Sequence, residues 1–126
     1  MNPTPENAKI AAETEVAWDA SPAPGTRKSF IFNGVEFSFR YCPPGTFGGG
    51  DVKKGANPYK ITLTRGFWIA ETPTTQAQYE ALIGENPSFF SREGEKAASV
   101  ANLDTLDFPV ENVSWNDGQE FVRKLN

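Results

Sequence analysis

The chain has 126 residues, 16 acidic and 12 basic side chains, a formal net charge of −4, no histidine and a single cysteine, Cys42. A chain of this length is expected to form one domain, and its few, scattered basic residues argue against a nucleic-acid partner. The missing histidine and the single cysteine exclude three kinds of chemistry within this chain: an intrachain disulfide, zinc or copper sites built from Cys and His, and Ser–His or Cys–His catalysis.

Membrane and targeting signals are also missing from the sequence. No run approaches the roughly 18 apolar residues that a membrane-spanning helix needs. The first twenty residues lack the basic start and apolar core of a secretory signal. The acidic charge and the absence of disulfides lead us to expect a cytoplasmic protein, or a periplasmic or secreted one if a signal was removed.

Residues 1–28 combine four prolines with sparse, aperiodic apolar side chains. This composition predicts a mobile tail or linker, followed by a domain over residues 29–126. Trp18 is the only aromatic residue of the tail. We expect it to dock on the domain, although a contact with something else is the alternative.

The first predicted element of the domain is a β-hairpin. Phe30–Phe32 and Val35–Tyr41 flank Asn33-Gly34, which supplies the two positive-φ residues of a type I′ turn. The second strand alternates apolar and polar residues, so one face is expected to be buried. A stacking platform for nucleic-acid bases would need basic residues between the aromatic rings, so we interpret the rings as core rather than as such a platform.

The residues after the hairpin predict a turn. Pro43 and Pro44 end strand pairing and Gly45 turns the chain. The glycines at 48–50 lack the Gly-Lys-Ser/Thr helix start of a phosphate-binding loop, so a flexible turn is expected. Cys42 is interpreted as a small buried hydrophobe. A polar loop over 51–58 follows.

Two short strands come next. Tyr59–Thr64 alternates, with Ile61 and Leu63 predicted to point inward, and Phe67–Ala70 is a second apolar run.

A first helix begins after Thr75. Gln78 stands at the capping-box position three residues after Thr75, and Gly84 is a helix-ending residue. Three side chains form the stripe that we expect to be buried: Tyr79, Leu82 and Ile83.

Residues 91–107 are polar and charged and predict a solvated loop. Asp104, Asp107 and Glu111 could be read as a calcium cluster, but the spacing of a calcium-binding loop is absent. Asn112-Val-Ser114 is a formal glycosylation sequon, but Ser114 is better placed as a helix cap.

The last stretch predicts a short strand and a second capped helix. Val110 and Val113 suit a buried strand. Ser114 with Asp117 three residues later is a capping signal. One helix face then carries Gly118, Phe121, Val122 and Leu125, and Trp115 in the first turn is expected to lock the strand to the helix.

Three segments, in this order, resemble signatures of the formylglycine-generating (sulfatase-modifying) enzyme family. FPVENVSWNDGQEFVRKLN resembles PVxxVSWxDAxxFCxWL, YCPPGTFGGG resembles VPGGTFxMGS, and LTRGFWIAETPTTQAQYEALIGENPSFF resembles LSPFYIGKYEVTNAQYxAFxxxNPSxF. The residues that we take as the structural signature are Phe67, Thr75, Gln78, Tyr79, Asn86, Pro87, Pro109, Val110, Val113, Ser114, Trp115 and Phe121.

The resemblance implies an α+β, C-type-lectin-like fold, here its N-terminal part, with a hairpin, short strands and two capped helices. Family enzymes oxidise a substrate cysteine to formylglycine with copper, bind calcium, and use residues of later segments that have no match in this sequence. No catalytic, cofactor-binding or metal-binding residue can therefore be assigned to a position here, and we expect no activity from this chain alone.

The resemblance leaves other functions open. Some proteins with this signature are lectin-like variable proteins or other ligand-binding or protein-binding modules, and others have a structural role. We expect the chain to be a fragment, a truncated gene product or one piece of a split protein, since the helix face of Phe121, Val122 and Leu125 has no evident partner. Self-association, a missing C-terminal half, or a protein or peptide ligand would cover that face.

Overall fold

A computed structural model describes residues 17–49 and 59–126. Residues 1–16 of the tail predicted over 1–28, and the polar loop predicted over 51–58, lie outside the described residues. The described elements are strands β1 (Arg27–Phe32), β2 (Val35–Cys42), β3 (Gly45–Gly49), β4 (Tyr59–Leu63) and β5 (Phe67–Ala70), helix α1 (Gln76–Ile83), a 3-10 helix (Ala97–Val100) and helix α2 (Trp115–Leu125). No helix in the described ranges is both long and apolar enough to cross a membrane.

The strands form two sheets. One has three strands in the order β1-β2-β5, and the other pairs β3 with β4 in antiparallel register, with Phe47 opposite Ile61. The described residues divide into two compact units: the first comprises residues 17–29, 38–49 and 59–69, and the second comprises residues 30–37 and 70–126.

The hairpin prediction is confirmed. Asn33 and Gly34 have φ angles of 48° and 77°, as a type I′ turn requires. Phe37, Phe39 and Tyr41 of β2 are buried, and the intervening polar side chains are half-buried or exposed. The period of two in the sequence therefore assigned the inner face correctly.

The first unit is built around aromatic rings. Trp18 contacts Phe39 and Trp68 edge to face, with ring centroids 5.6 and 5.2 Å apart. The Nε1–H of Trp68 donates a hydrogen bond to the Trp18 carbonyl at 3.0 Å. Trp18 thus packs on its own unit, as expected. Strand β1 begins at Arg27, two residues before Ser29, and the division of the chain at residue 28 stays a prediction.

Predictions for β3 and β4 need correction. The stretch from Gly45 to Gly49 is a strand, where a flexible turn was expected, because its backbone pairs residue by residue with β4. The hydroxyls of Thr46 and Thr62 lie 3.0 Å apart across this pair. Leu63 is exposed, contrary to its predicted inward position, because a sheet of two strands covers little surface. Cys42 is half-buried.

Helix α1 confirms its predicted start and end. The Thr75 hydroxyl accepts a hydrogen bond from the Gln78 N–H, and the Gln78 side chain accepts one from the Thr75 N–H. Gly84 ends the helix with a φ of 91°. Tyr79 is buried and the rest of the predicted stripe is half-buried.

Two predictions near the C-terminus are wrong. Val110 and Val113 do not form a strand: the only ladder contact recorded there is an isolated bridge between Pro109 and Thr75. Asn112, with a φ of 60°, then turns the backbone away. Trp115 does not lock a strand to the helix, because 77% of its surface is exposed.

The predicted solvated loop at 91–107 is partly folded. It contains the 3-10 helix, and three of its side chains are buried: Ser91, Val100 and Thr105.

Candidate functional site

Gln76 lies at the centre of the second unit and is fully buried. Its side-chain amide donates to the Phe90 carbonyl at 3.1 Å, and its oxygen accepts from the Asn86 amide at 2.9 Å. The Asn86 oxygen in turn accepts from the Ser88 N–H at 3.2 Å. We call Gln76, Asn86, Ser88 and Phe90, together with Glu111, the Gln76 network.

Glu111 joins the C-terminal stretch to this network. Its carboxylate accepts a hydrogen bond from the Phe90 N–H at 2.8 Å, and its own N–H donates to the Ser88 hydroxyl at 3.2 Å. The Asn112 amide donates to the Pro87 carbonyl at 3.0 Å. The Asn-Pro turn is therefore held from both sides by polar side chains.

Helix α2 is held by its cap and by one ring contact. Ser114 and Asp117 form a reciprocal capping box, and their hydrogen bonds lower the pKa of the Asp117 carboxyl. The ring of Phe121 stacks on Tyr79 of α1, with centroids 5.7 Å apart and planes 5° apart. Burial of Tyr79, and then the nearby charges of Asp117 and Glu85, raise the pKa of its hydroxyl.

The apolar stripe of α2 is wider than the surface that α1 covers. At 3.6 residues per turn, Phe121 lies about 120° around the helix from Trp115, whereas Val122 lies within about 20° of Trp115. Phe121 faces α1, but Val122 is 49% exposed and Trp115 is 77% exposed. We call Trp115 and Val122 the exposed ridge of α2.

A second candidate place lies in the first unit. Trp18, Tyr41 and Trp68 line a cavity of about 340 Å³, whose edge carries Asp19 and Arg65. Tyr41 is buried, and Trp18 is 45% exposed. We call this cavity the aromatic pocket.

The predicted signature residues have different structural positions. Thr75, Gln78 and Ser114 cap helices, Tyr79 and Phe121 stack, and Asn86 and Pro87 belong to the Asn-Pro turn. Phe67, Val113 and Trp115 are exposed, Val110 is half-buried, and Pro109 is exposed in its bridge with Thr75. Their role as a family signature stays a prediction.

Sequence reasoning missed the residue that organises the network. A glutamine next to a helix cap carries no burial signal of its own, so the sequence does not predict the burial of Gln76. Its position three residues before Tyr79 on the same helix face is the one hint that the sequence offers.

Two of the three acidic residues singled out as a possible calcium cluster have other partners. The Asp104 carboxylate accepts from the Leu106 N–H at 3.3 Å, and Glu111 belongs to the Gln76 network. Within residues 17–49 and 59–126, no three His, Cys, Asp or Glu side chains come together as a metal-binding group.

Comparison with known proteins gives two findings. A family model described as the sulfatase-modifying factor enzyme 1-like domain matches residues 38–126, more than half of the chain. Among solved structures, Treponema denticola variable protein 1 is similar at 26% identity and a TM-score of 0.64; the match covers 83% of this chain and 35% of that one. The chain thus spans about a third of that neighbour's length. No curated protein matches it.

Proposed function

Because the chain belongs to the sulfatase-modifying factor enzyme 1-like domain family, we propose that it is a binding module built on the framework of that domain and that it does not catalyse formylglycine formation by itself. The fold is that of the family, in part. The proposed lack of formylglycine-forming activity is supported by the composition: the whole sequence has one cysteine and no histidine. The family resemblance assigns the oxidation to paired cysteines, and a single thiol cannot provide a pair.

The experiment is an oxidation assay. The purified chain is incubated with copper, oxygen and a cysteine-containing peptide, and aldehyde is detected by hydrazide labelling and mass spectrometry. We expect no aldehyde with the wild-type chain or with Cys42→Ser. Aldehyde formed by the wild-type chain and lost in Cys42→Ser would refute the proposal, because it would make this thiol the reacting group.

The exposed ridge of α2 is the surface that we propose for binding another polypeptide. Tryptophan is enriched among the residues that dominate the binding energy of interfaces, and here Trp115 is 77% exposed beside Val122, which is 49% exposed. The half-buried Phe121 and Leu125 continue the same stripe toward α1. The proposed occupant is a second copy of this chain, with a C-terminal segment of a longer domain as the alternative.

The charged side chains of α2 lie mostly away from the exposed ridge. At 3.6 residues per turn, Asp117, Glu120 and Lys124 are each about 140–180° around the helix from Trp115. Glu120 also pairs with Arg123 within one copy. A twofold contact between two ridges is therefore mainly apolar, and its strength should depend little on salt.

Sedimentation velocity over a range of protein concentrations tests this contact. We expect the wild-type chain to associate, and Trp115→Ala and Val122→Ser to weaken association. Phe47→Ala is the control, since Phe47 is exposed to a similar degree as Val122 but lies on β3. A monomer at every concentration would contradict the second-copy contact and leave the oxidation result unaffected.

Finally, the acidic charge and the lack of disulfides support a proposed cytoplasmic location. The lectin-like character of the module also stays a proposal. Localisation of a tagged, full-length gene product tests the first. The lectin-like character would be supported if the gene encoded, after α2, a segment whose amino-acid sequence varies among copies of the gene.

A further inference from the structure

The aromatic pocket of the first unit is a cavity that the family assignment leaves without a role. Its walls are Trp18, Tyr41 and Trp68, which come from three separate stretches of the chain. Its volume, about 340 Å³, lies at the small end of the range for small-molecule pockets. A ligand of one or two small rings would fill it.

The walls are held in place by contacts of their own. Trp68 donates its indole N–H to the Trp18 carbonyl, and its ring lies 5.3 Å from that of Tyr41. Gly66 passes so close to the Tyr41 hydroxyl that no larger side chain fits between them. These contacts fix the walls before any ligand arrives, which lowers the entropy cost of binding.

Charge around the pocket argues against an ionic ligand. The Lys28 ammonium lies 4.0 Å from the centre of the Trp18 ring, and Arg65 is at the pocket edge, so a cation would be repelled. The carboxylate of Asp19 offsets part of this positive charge, and the net charge of −4 on the whole chain disfavours an anion. A neutral ligand meets neither penalty.

The polar groups at the edge demand a ligand that both donates and accepts hydrogen bonds. Asp19 accepts only and Arg65 donates only, while the hydroxyls of Ser21 and Thr64 do both. Lys28 covers one face of the Trp18 ring, and the remaining aromatic surface of Trp18, Tyr41 and Trp68 that lines the cavity can pack against weakly polar C–H groups. A ring that carries hydroxyls on its edge and C–H groups on its faces matches both requirements.

We propose that the aromatic pocket binds a neutral sugar ring. Its hydroxyls donate to Asp19 and accept from Arg65, and its C–H face packs on the indole rings. The pocket is open and small, so the expected dissociation constant is in the millimolar range. This proposal does not depend on the binding surface of α2, which lies in the other unit.

Nuclear magnetic resonance tests the proposal on the whole chain. The protein contains three tryptophans, so a ¹⁵N-labelled sample gives three indole N–H signals. Glucose, galactose and N-acetylglucosamine are titrated separately. We expect at least one of them to shift the signals of Trp18 and Trp68 in a saturable way and to leave Trp115 unmoved. No shift with any sugar, or an equal shift of Trp115, would overturn the proposal.

Variants distinguish specific binding in the aromatic pocket from nonspecific binding elsewhere on the protein. Trp18→Ala removes one wall, and we expect it to weaken binding by about tenfold. Arg65→Gln and Asp19→Asn change exposed edge groups without touching the core, and each should weaken binding by about threefold to tenfold. Phe47→Ala is an exposed aromatic control outside the pocket and should bind normally. Unchanged binding in both edge variants would overturn the assignment.

Charged and zwitterionic probes complete the test. Glycine, phenylalanine, choline and inorganic phosphate are titrated in the same way. Saturable shifts of Trp18 and Trp68 with any of these and with no sugar would show that the pocket takes an ion, contrary to the charge argument.

Discussion

Replacing Gln76 by alanine tests whether the Gln76 network holds the second unit together. Gln76 has no exposed surface, and its side chain makes hydrogen bonds to the Phe90 carbonyl and the Asn86 amide. The substitution removes both bonds and leaves a void where the amide was. It also leaves the Asn86 amide without its partner in a half-buried position.

The magnitude follows from these losses. Each hydrogen bond contributes about 1 kcal/mol net, and a polar group left buried without a partner costs a further 1–3 kcal/mol, roughly. Because Asn86 is only half-buried, the lower part of that range applies. We therefore expect Gln76→Ala to lower the free energy of unfolding by about 2–4 kcal/mol, a large share of the 5–15 kcal/mol or so that is typical of a domain.

Urea unfolding followed by circular dichroism measures this change. With a slope of about 1–3 kcal/mol per molar urea, the midpoint should fall by about 1 M or more. Gln119→Ala is the matched control, because Gln119 is exposed on α2 and should give a change within about 0.5 kcal/mol.

A double-mutant cycle identifies the cause. Gln76→Ala and Asn86→Ala should show a coupling energy of about 0.5–3 kcal/mol if their direct hydrogen bond matters. The reasoning is refuted if Gln76→Ala unfolds at the same midpoint as Gln119→Ala, or if the two substitutions add without coupling.

Three further substitutions have signs set by the structure. Ser114→Ala should destabilise the protein by about 1 kcal/mol in urea unfolding, since it removes the cap of α2, and Ser114→Gly should cost less. Because the pKa of Asp117 is lowered in the folded protein, its contribution to stability is present above the ordinary aspartate range and is lost as the pH falls through the lowered pKa. Asp117→Asn should remove this pH dependence of the melting temperature. A melting temperature that depends on pH in the same way in the variant would argue against the cap. Gly66→Ala should destabilise the protein by about 1–3 kcal/mol, because the added methyl group collides with the Tyr41 hydroxyl. Gly118→Ala lies in open space on α2 and should stabilise the protein by about 0.5–1 kcal/mol. If calorimetry gave stability changes of the same sign for both variants, the packing described would be contradicted.

The sequon at Asn112 shows how structure decides between two uses of the same residues. Asn112 already donates its side-chain amide to the Pro87 carbonyl, and the Ser114 hydroxyl is used in the cap of α2. Attachment of a glycan would remove the first of these contacts. The expectation that Ser114 serves as a cap is confirmed, and the glycosylation alternative loses support.

Features that depend on neighbours in the sequence were predicted correctly. The capping boxes at Thr75 and Ser114 join residues three apart, and the Asn33-Gly34 turn needs only its own two residues. The alternation along β2 fixes its buried face because successive side chains of a strand point to opposite sides. The family resemblance rested on the same kinds of local pattern, and the family match confirms it.

Features that depend on distant partners were not predicted. The glycines at 45, 48 and 49 predict a turn, but their backbone forms a strand because it pairs with β4. A glutamine at 76 reads as a surface residue until the turn at 86–90 closes over it. The sequence predicts that Trp115 is buried, but α1 contacts α2 through Phe121 and leaves Trp115 exposed.

The sequence by itself determined the caps, the hairpin, the family and the absence of paired thiols, because each of these is a matter of residue type and short spacing. The tertiary structure alone decided which side chains were buried together and which were left in solvent, because burial depends on surfaces that meet from distant parts of the chain. The aromatic pocket and the exposed ridge of α2, on which the binding proposals rest, both belong to this second group.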